Sequence, residues 1–94
     1  MKIVRNGYEY IIDKDKLLKV DKLMCNVFLM KKLLEESQEI IDSKAIDVYE
    51  YADLLQVMID LGNLNNISFN DIIEAAQDKE ERLGTFSEGI ILND

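Results

Sequence analysis

Apolar residues recur at intervals of three, four and seven through Leu17, Val20, Met24, Val27, Met30, Leu34 and Ile41, with Phe28, Leu33 and Ile40 widening the stripe. That is the period of an α-helix and not of a strand. It predicts a long first helix reaching about Asp42, begun at Asp15 or, if Asp21 caps a fresh start, at Asp21. Ser43 to Ile46 is a link of the length that joins antiparallel helices. A second helix follows to about Gly62, read as its stop, with Asn63, Asn65 and Asn66 in the loop behind it. A third runs from Ser68, with Asp71 completing a capping-box analogue, to Gly84. The apolar sector of the first helix is wider than two further helices can cover, which predicts a partner chain. The expected fold is therefore mainly α, an antiparallel bundle of about three helices per chain completed by oligomerisation.

The two ends carry a different signal. Asn6-Gly7 lies between Lys2-Ile3-Val4-Arg5 and Tyr8-Glu9-Tyr10-Ile11-Ile12, the pattern of a tight hairpin. Phe86, Ile90 and Leu92 alternate around Gly89 and read as a strand. Together they predict a small β element closing one side of the helices.

Polar chemistry concentrates between Glu35 and Asp53. Glu36/Glu39 and Glu50/Asp53 are each spaced i, i+3, so the two carboxylates of a pair share one helix face. If the flanking segments form an antiparallel pair, Glu39 falls opposite Glu50 and Glu36 opposite Asp53, because both cross-pairs centre between Lys44 and Ala45. In a chain with 19 acidic residues such spacing is also what a solvated face gives. These carboxylates, however, sit in apolar stripes: Glu50 with Leu54, Val57 and Leu61, Glu36 with Leu29, Leu33 and Ile40. Four carboxylates turned inward need a positive partner, and oxygen ligands from two helices make a site for Mg²⁺ or Mn²⁺.

Composition removes alternatives. Histidine is absent, which excludes Ser-His and Cys-His catalysis, the Glu-x-x-His di-iron bundle and the usual zinc sites. Cys25 is the only cysteine, so an intrachain disulfide is impossible, and within a helical pattern it reads as a small core residue. A net charge of −8 argues against nucleic-acid polymers and anionic membranes as partners. The start lacks the apolar run of a signal peptide and no segment has the length of a membrane span. The expectation is a single domain over residues 1–94, soluble and cytoplasmic.

Glu35-Glu36-x-x-Glu39 followed by Glu50-x-x-Asp53 resembles the signature of the all-alpha nucleotide pyrophosphohydrolases, the MazG-like and phosphoribosyl-ATP pyrophosphohydrolase-like group. The likeness continues through Ala52-Asp53-Leu54-Leu55-Gln56-Val57, Lys79-x-x-Arg82-x-Gly84-x-Phe86 and Ile90-Ile91-Leu92, covering about Leu33 to Leu92. It departs at the N-terminus, where Lys2-Ile3-Val4-Arg5 is followed by Asn6-Gly7 instead of a Leu-Val-Arg-Asp-Lys-Ile-Pro-like segment. The resemblance implies Mg²⁺-dependent cleavage of a nucleoside triphosphate, or a related nucleotide, between its α and β phosphates. Glu36, Glu39, Glu50 and Asp53 would be the metal ligands, Glu35 would orient or deprotonate the attacking water, and Lys79 and Arg82 would clamp phosphates. The nucleotide-binding unit would be a homodimer or a dimer of dimers. Unaided by the resemblance, Lys79 and Arg82 read first as partners of Asp78, Glu80 or Glu81 on a solvated helix end, and Arg5 reads as an exposed hairpin arginine before a phosphate ligand. The competing reading is a non-catalytic helical dimer that retains the fold; an acidic adaptor facing a basic partner is a third.

Overall fold

The computed structural model describes residues 1–93 and consists of three α-helices: α1 (Lys22–Asp42), α2 (Val48–Leu64) and α3 (Phe69–Leu83). Two short 3₁₀ turns, Asn6–Tyr10 and Lys14–Lys16, precede them. Among the described residues there is no strand, so the small β element expected from the two ends is corrected. The Asn6-Gly7 signal resolves into the 3₁₀ turn, closed by the Tyr8 amide donating to the Arg5 carbonyl at 3.0 Å. A two-stranded hairpin with nothing packed on its face is marginal in water. The Phe86–Leu92 stretch likewise has no sheet to join and runs as exposed, irregular chain.

Local chemistry sets the helix ends. Asp21 is the true start of α1: its Oδ1 accepts from the Met24 amide at 2.9 Å, so Leu17 and Val20 fall outside the helix despite sharing its period. Asp47 caps α2 through the Tyr49 amide, and Ser68 caps α3 through the Asp71 amide. At the far end of α1 the amides of Ser43, Lys44 and Ala45 satisfy the carbonyls of Glu39, Ile41 and Ile40. This tight reversal puts both Lys44 and Ala45 at φ +60°, the left-handed region.

The stop of α2 differs from the expectation. Gly62 lies inside the helix, which runs on to Leu64, and Asn66 at φ +62° takes the left-handed position beyond it. Gly62 is instead a point of close approach, because a Cβ there would meet the Ile67 carbonyl oxygen at 2.8 Å and the Ile72 side chain at 3.3 Å. Here α3 leaves α2.

Packing is concentrated between α1 and α2, while α3 touches α2 only sparsely. The buried centre of the hairpin is small: Leu29 of α1, Val57 of α2 and the charged Glu36 of α1. The chain is extended, 51 × 31 × 26 Å, with a radius of gyration of 16.5 Å against about 12 Å for a compact domain of this length. No helix among the described residues is long and apolar enough to cross a membrane.

Candidate metal centre

The antiparallel link delivers the juxtaposition that the spacing of the acidic pairs predicts, for three of the four residues. Glu36 on α1 and Glu50 and Asp53 on α2 each present a carboxylate oxygen, and these atoms all lie within 4.8 Å of one another. Ligands at about 2.1 Å from Mg²⁺ stand about 3–4 Å apart, so small rotations of these side chains close the set around an ion. Glu36 is only 6% exposed, and Glu50 and Asp53 are half-buried. Glu39 lies outside this group, exposed near the end of α1, yet near enough for its charge to act on Glu50.

The chain's own cations partly balance the cluster. Arg5 Nη2 donates to Asp53 Oδ1 at 2.6 Å. Lys32 Nζ lies 3.3 Å from Glu36 Oε1 and 3.5 Å from Glu35 Oε1, one helical turn below both. Glu50 has no cation at ion-pair distance among the described residues. Desolvation, followed by the charges of Glu39, Asp47, Asp53 and Glu36, raises its pKa above the ordinary 4.5. The donor set therefore fits a hard divalent cation: all oxygen, converging from two helices, and short of positive charge at Glu50.

Beside the carboxylates lies a cleft of about 210 Å³ whose polar lining is Arg5, Tyr8, Lys32, Glu36, Asp53 and Asp60 together with Gln56. This is below the roughly 300–1,000 Å³ of small-molecule pockets. It has room for phosphate-sized groups.

The remaining expected site residues are placed as follows. Glu35 is half-buried and engaged by Lys32, next to but not within the three-oxygen group. Lys79 and Arg82 lie exposed on α3 and do not line the cleft. Arg82 is held by Asp78 at 3.0 Å, the solvated-end pairing that its i, i+4 spacing allows. The cations that do line the cleft are Arg5 and Lys32. Lys32 was legible in Lys32-x-x-Glu35-Glu36, whose helical spacing brings one ammonium to both carboxylates. Asp60 had the weaker signal of standing one helical position short of Leu61 on the inward face of α2.

Compared with known proteins, the chain matches no protein-family model, no curated protein and no solved structure.

Proposed function

We propose that the protein is a divalent-cation-dependent nucleotide pyrophosphohydrolase of the MazG-like kind, splitting a nucleotide between its α and β phosphates. The observation that supports this reading best is the convergence of Glu36, Glu50 and Asp53 from two helices, with Glu36 and Asp53 lining a cleft that Arg5 and Lys32 also line. Three carboxylates are a ligand set for Mg²⁺ or Mn²⁺, and two cations beside them match the opposite charge of a phosphate chain.

When bound, the ion would supply Lewis-acid polarisation of a phosphoryl oxygen and a water of lowered pKa. Glu36, Glu50 and Asp53 would hold it, and Glu39, exposed nearby on α1, would complete the set that the resemblance implies. Arg5, which lines the cleft beside Asp53, would bind two phosphate oxygens at once through its planar donor fork. Lys32 steadies the same oxygens as a point charge. Glu35, beside the ligands but outside their set, accepts the proton of the attacking water. Lys79 and Arg82, which the resemblance makes phosphate ligands, do not line the cleft of the single chain.

The test is pyrophosphate release by the purified protein with Mg²⁺ across a panel of nucleoside triphosphates. Release is expected, and Glu50→Gln and Asp53→Asn are expected to abolish it with helical content intact. Absence of release across the panel would overturn the reading.

A second reading, a non-catalytic helical dimer that keeps the fold, draws support from Arg5 and Lys32, which already engage two of the three carboxylates. Divalent binding without pyrophosphate release would favour it.

A further inference from the structure

The cleft takes part of its lining from α1 and α2 and part from outside the helices, where Ile3, Val4, Arg5 and Tyr8 reach it from the N-terminal segment. Ile3 and Val4 are half-buried, and Tyr8 is 39% exposed. The chain has four tyrosines and three phenylalanines, and among the described residues only Tyr8 of these lines the cleft. Phe28 on α1 is taken up by Lys31, whose Nζ lies 5.4 Å from the ring centroid. An aromatic side chain at the edge of a cleft that also presents two cations calls for a ligand with both an anionic end and a flat apolar one.

The backbone fixes Tyr8 relative to Arg5. The Tyr8 amide donates to the Arg5 carbonyl at 3.0 Å, and the Tyr8 carbonyl accepts from the Ile11 and Ile12 amides at 3.1 and 2.9 Å. The first of these is the i to i+3 bond of a 3₁₀ turn, in which side chains three residues apart stand over one another, about 6 Å apart. Both side chains accordingly line the same cleft.

That spacing matches a nucleotide. One sugar separates its first phosphate from its base, and Arg5 is the residue to which the proposed function gives phosphate oxygens. The volume agrees. At about 210 Å³ the cleft is smaller than the roughly 300–1,000 Å³ that enclose a small molecule, so a base would lie at its opening. Tyr8, lining the cleft with part of its surface in water, stands there.

We infer that Tyr8 is the base-stacking residue of the site: a purine or pyrimidine lies against its ring while Arg5 holds the adjoining phosphate. The inference rests on the phosphate-binding part of the proposed function and names the ligand as a nucleotide, in place of an inorganic polyphosphate or a sugar phosphate. Tyr8 lies outside the stretch from about Leu33 to Leu92 that carries the family resemblance, so the resemblance does not supply this role. Stacking on an aromatic side chain raises affinity by about 5- to 150-fold per base, and a ring partly in water belongs at the lower end of that range.

The test compares α,β-methylene ADP with methylenediphosphonate, the same uncleavable phosphate pair with and without a nucleoside, by calorimetry on the full chain in Mg²⁺. The nucleotide analogue should bind about fivefold or more tightly than the base-free compound. Tyr8→Ala should remove that advantage and leave methylenediphosphonate binding unchanged. Tyr8→Phe, which keeps the ring face, should retain it. The ring protons of Tyr8 should move upfield in NMR spectra with the nucleotide analogue and hold their position with methylenediphosphonate, a signature that a merely structural tyrosine does not give. Equal losses for both compounds in Tyr8→Ala, or no advantage of the nucleotide analogue in the parent, would overturn the inference and leave the phosphate site standing. Failure of the parent to bind either compound would overturn the phosphate reading itself, and this inference with it.

Discussion

Arg5 and Asp53, 48 residues apart, are joined by a 2.6 Å hydrogen bond from the guanidinium Nη2 to the carboxylate Oδ1. The bond ties the N-terminal segment to the second turn of α2 and places a chain-borne cation on one of the three carboxylates proposed to hold an ion. Arg5 and such an ion would therefore compete for the same oxygen.

That competition gives the first expected outcome. Arg5→Ala should tighten Mn²⁺ binding by roughly two- to fivefold, the modest worth of an ion pair whose partners are both about half exposed. On the proposed function, the KM for nucleotide should rise in the same variant, because the phosphate contact assigned to Arg5 would be lost. Calorimetry with Mn²⁺ and steady-state kinetics read these opposite changes separately.

Lys32 compensates the most deeply buried charge of the site. Lys32→Met leaves Glu36 with no cation at ion-pair distance and should destabilise the ion-free protein by about 2 kcal/mol. Added Mn²⁺ should recover most of that loss. Thermal unfolding with and without Mn²⁺ should accordingly show a larger metal-induced rise in Tm for the variant than for the parent.

Glu50 makes the site sensitive to pH. Its folded-state pKa is raised, so the folded protein holds this proton more tightly than the unfolded chain does. Above the raised value the ionised carboxylate works against folding, and that penalty is relieved as pH falls from there toward 4.5. Glu50→Gln should therefore raise the Tm of the ion-free protein at pH 7 and flatten this part of its pH dependence. A bound cation reverses the preference, so Mn²⁺ affinity of the parent should weaken as pH falls through the same window. A Tm unchanged or lowered by Glu50→Gln in chelator would contradict the electrostatic account.

The turns offer a pair of substitutions with opposite signs. Ala45→Gly removes a left-handed alanine next to a left-handed lysine and should stabilise by about 1 kcal/mol. Gly62→Ala drives a methyl group against the Ile67 carbonyl and should destabilise by about 1–3 kcal/mol. Urea unfolding of the two variants measures both.

Much of the helical frame was legible because it depends on neighbours in sequence. The Asp21, Asp47 and Ser68 side chains bond amides two or three residues ahead, so capping could be read directly at Ser68, and Asp21 was one of two candidate starts for α1. The meeting of Glu36, Glu50 and Asp53 was also readable, because a short antiparallel link fixes which residues stand opposite. Glu39 missed the group for a reason that pairing arithmetic does not contain: its side chain, near the end of α1, faces water. The Asn6-Gly7 signal failed because a turn motif makes a hairpin only where its strands have a surface to cover.

The sequence by itself determined the three helices, their order and the facing of Glu36 with Glu50 and Asp53 across the link, since all of these follow from spacings of a few residues. Which cations meet those carboxylates was decided only by tertiary structure. Arg5 reaches Asp53 through the path of the N-terminal segment over the hairpin, whereas Lys79 and Arg82 are carried away by the departure of α3 at Gly62. Periodicity fixes the face of a helix on which a side chain lies, but the direction in which the helix leaves its neighbour depends on contacts between residues far apart in the chain.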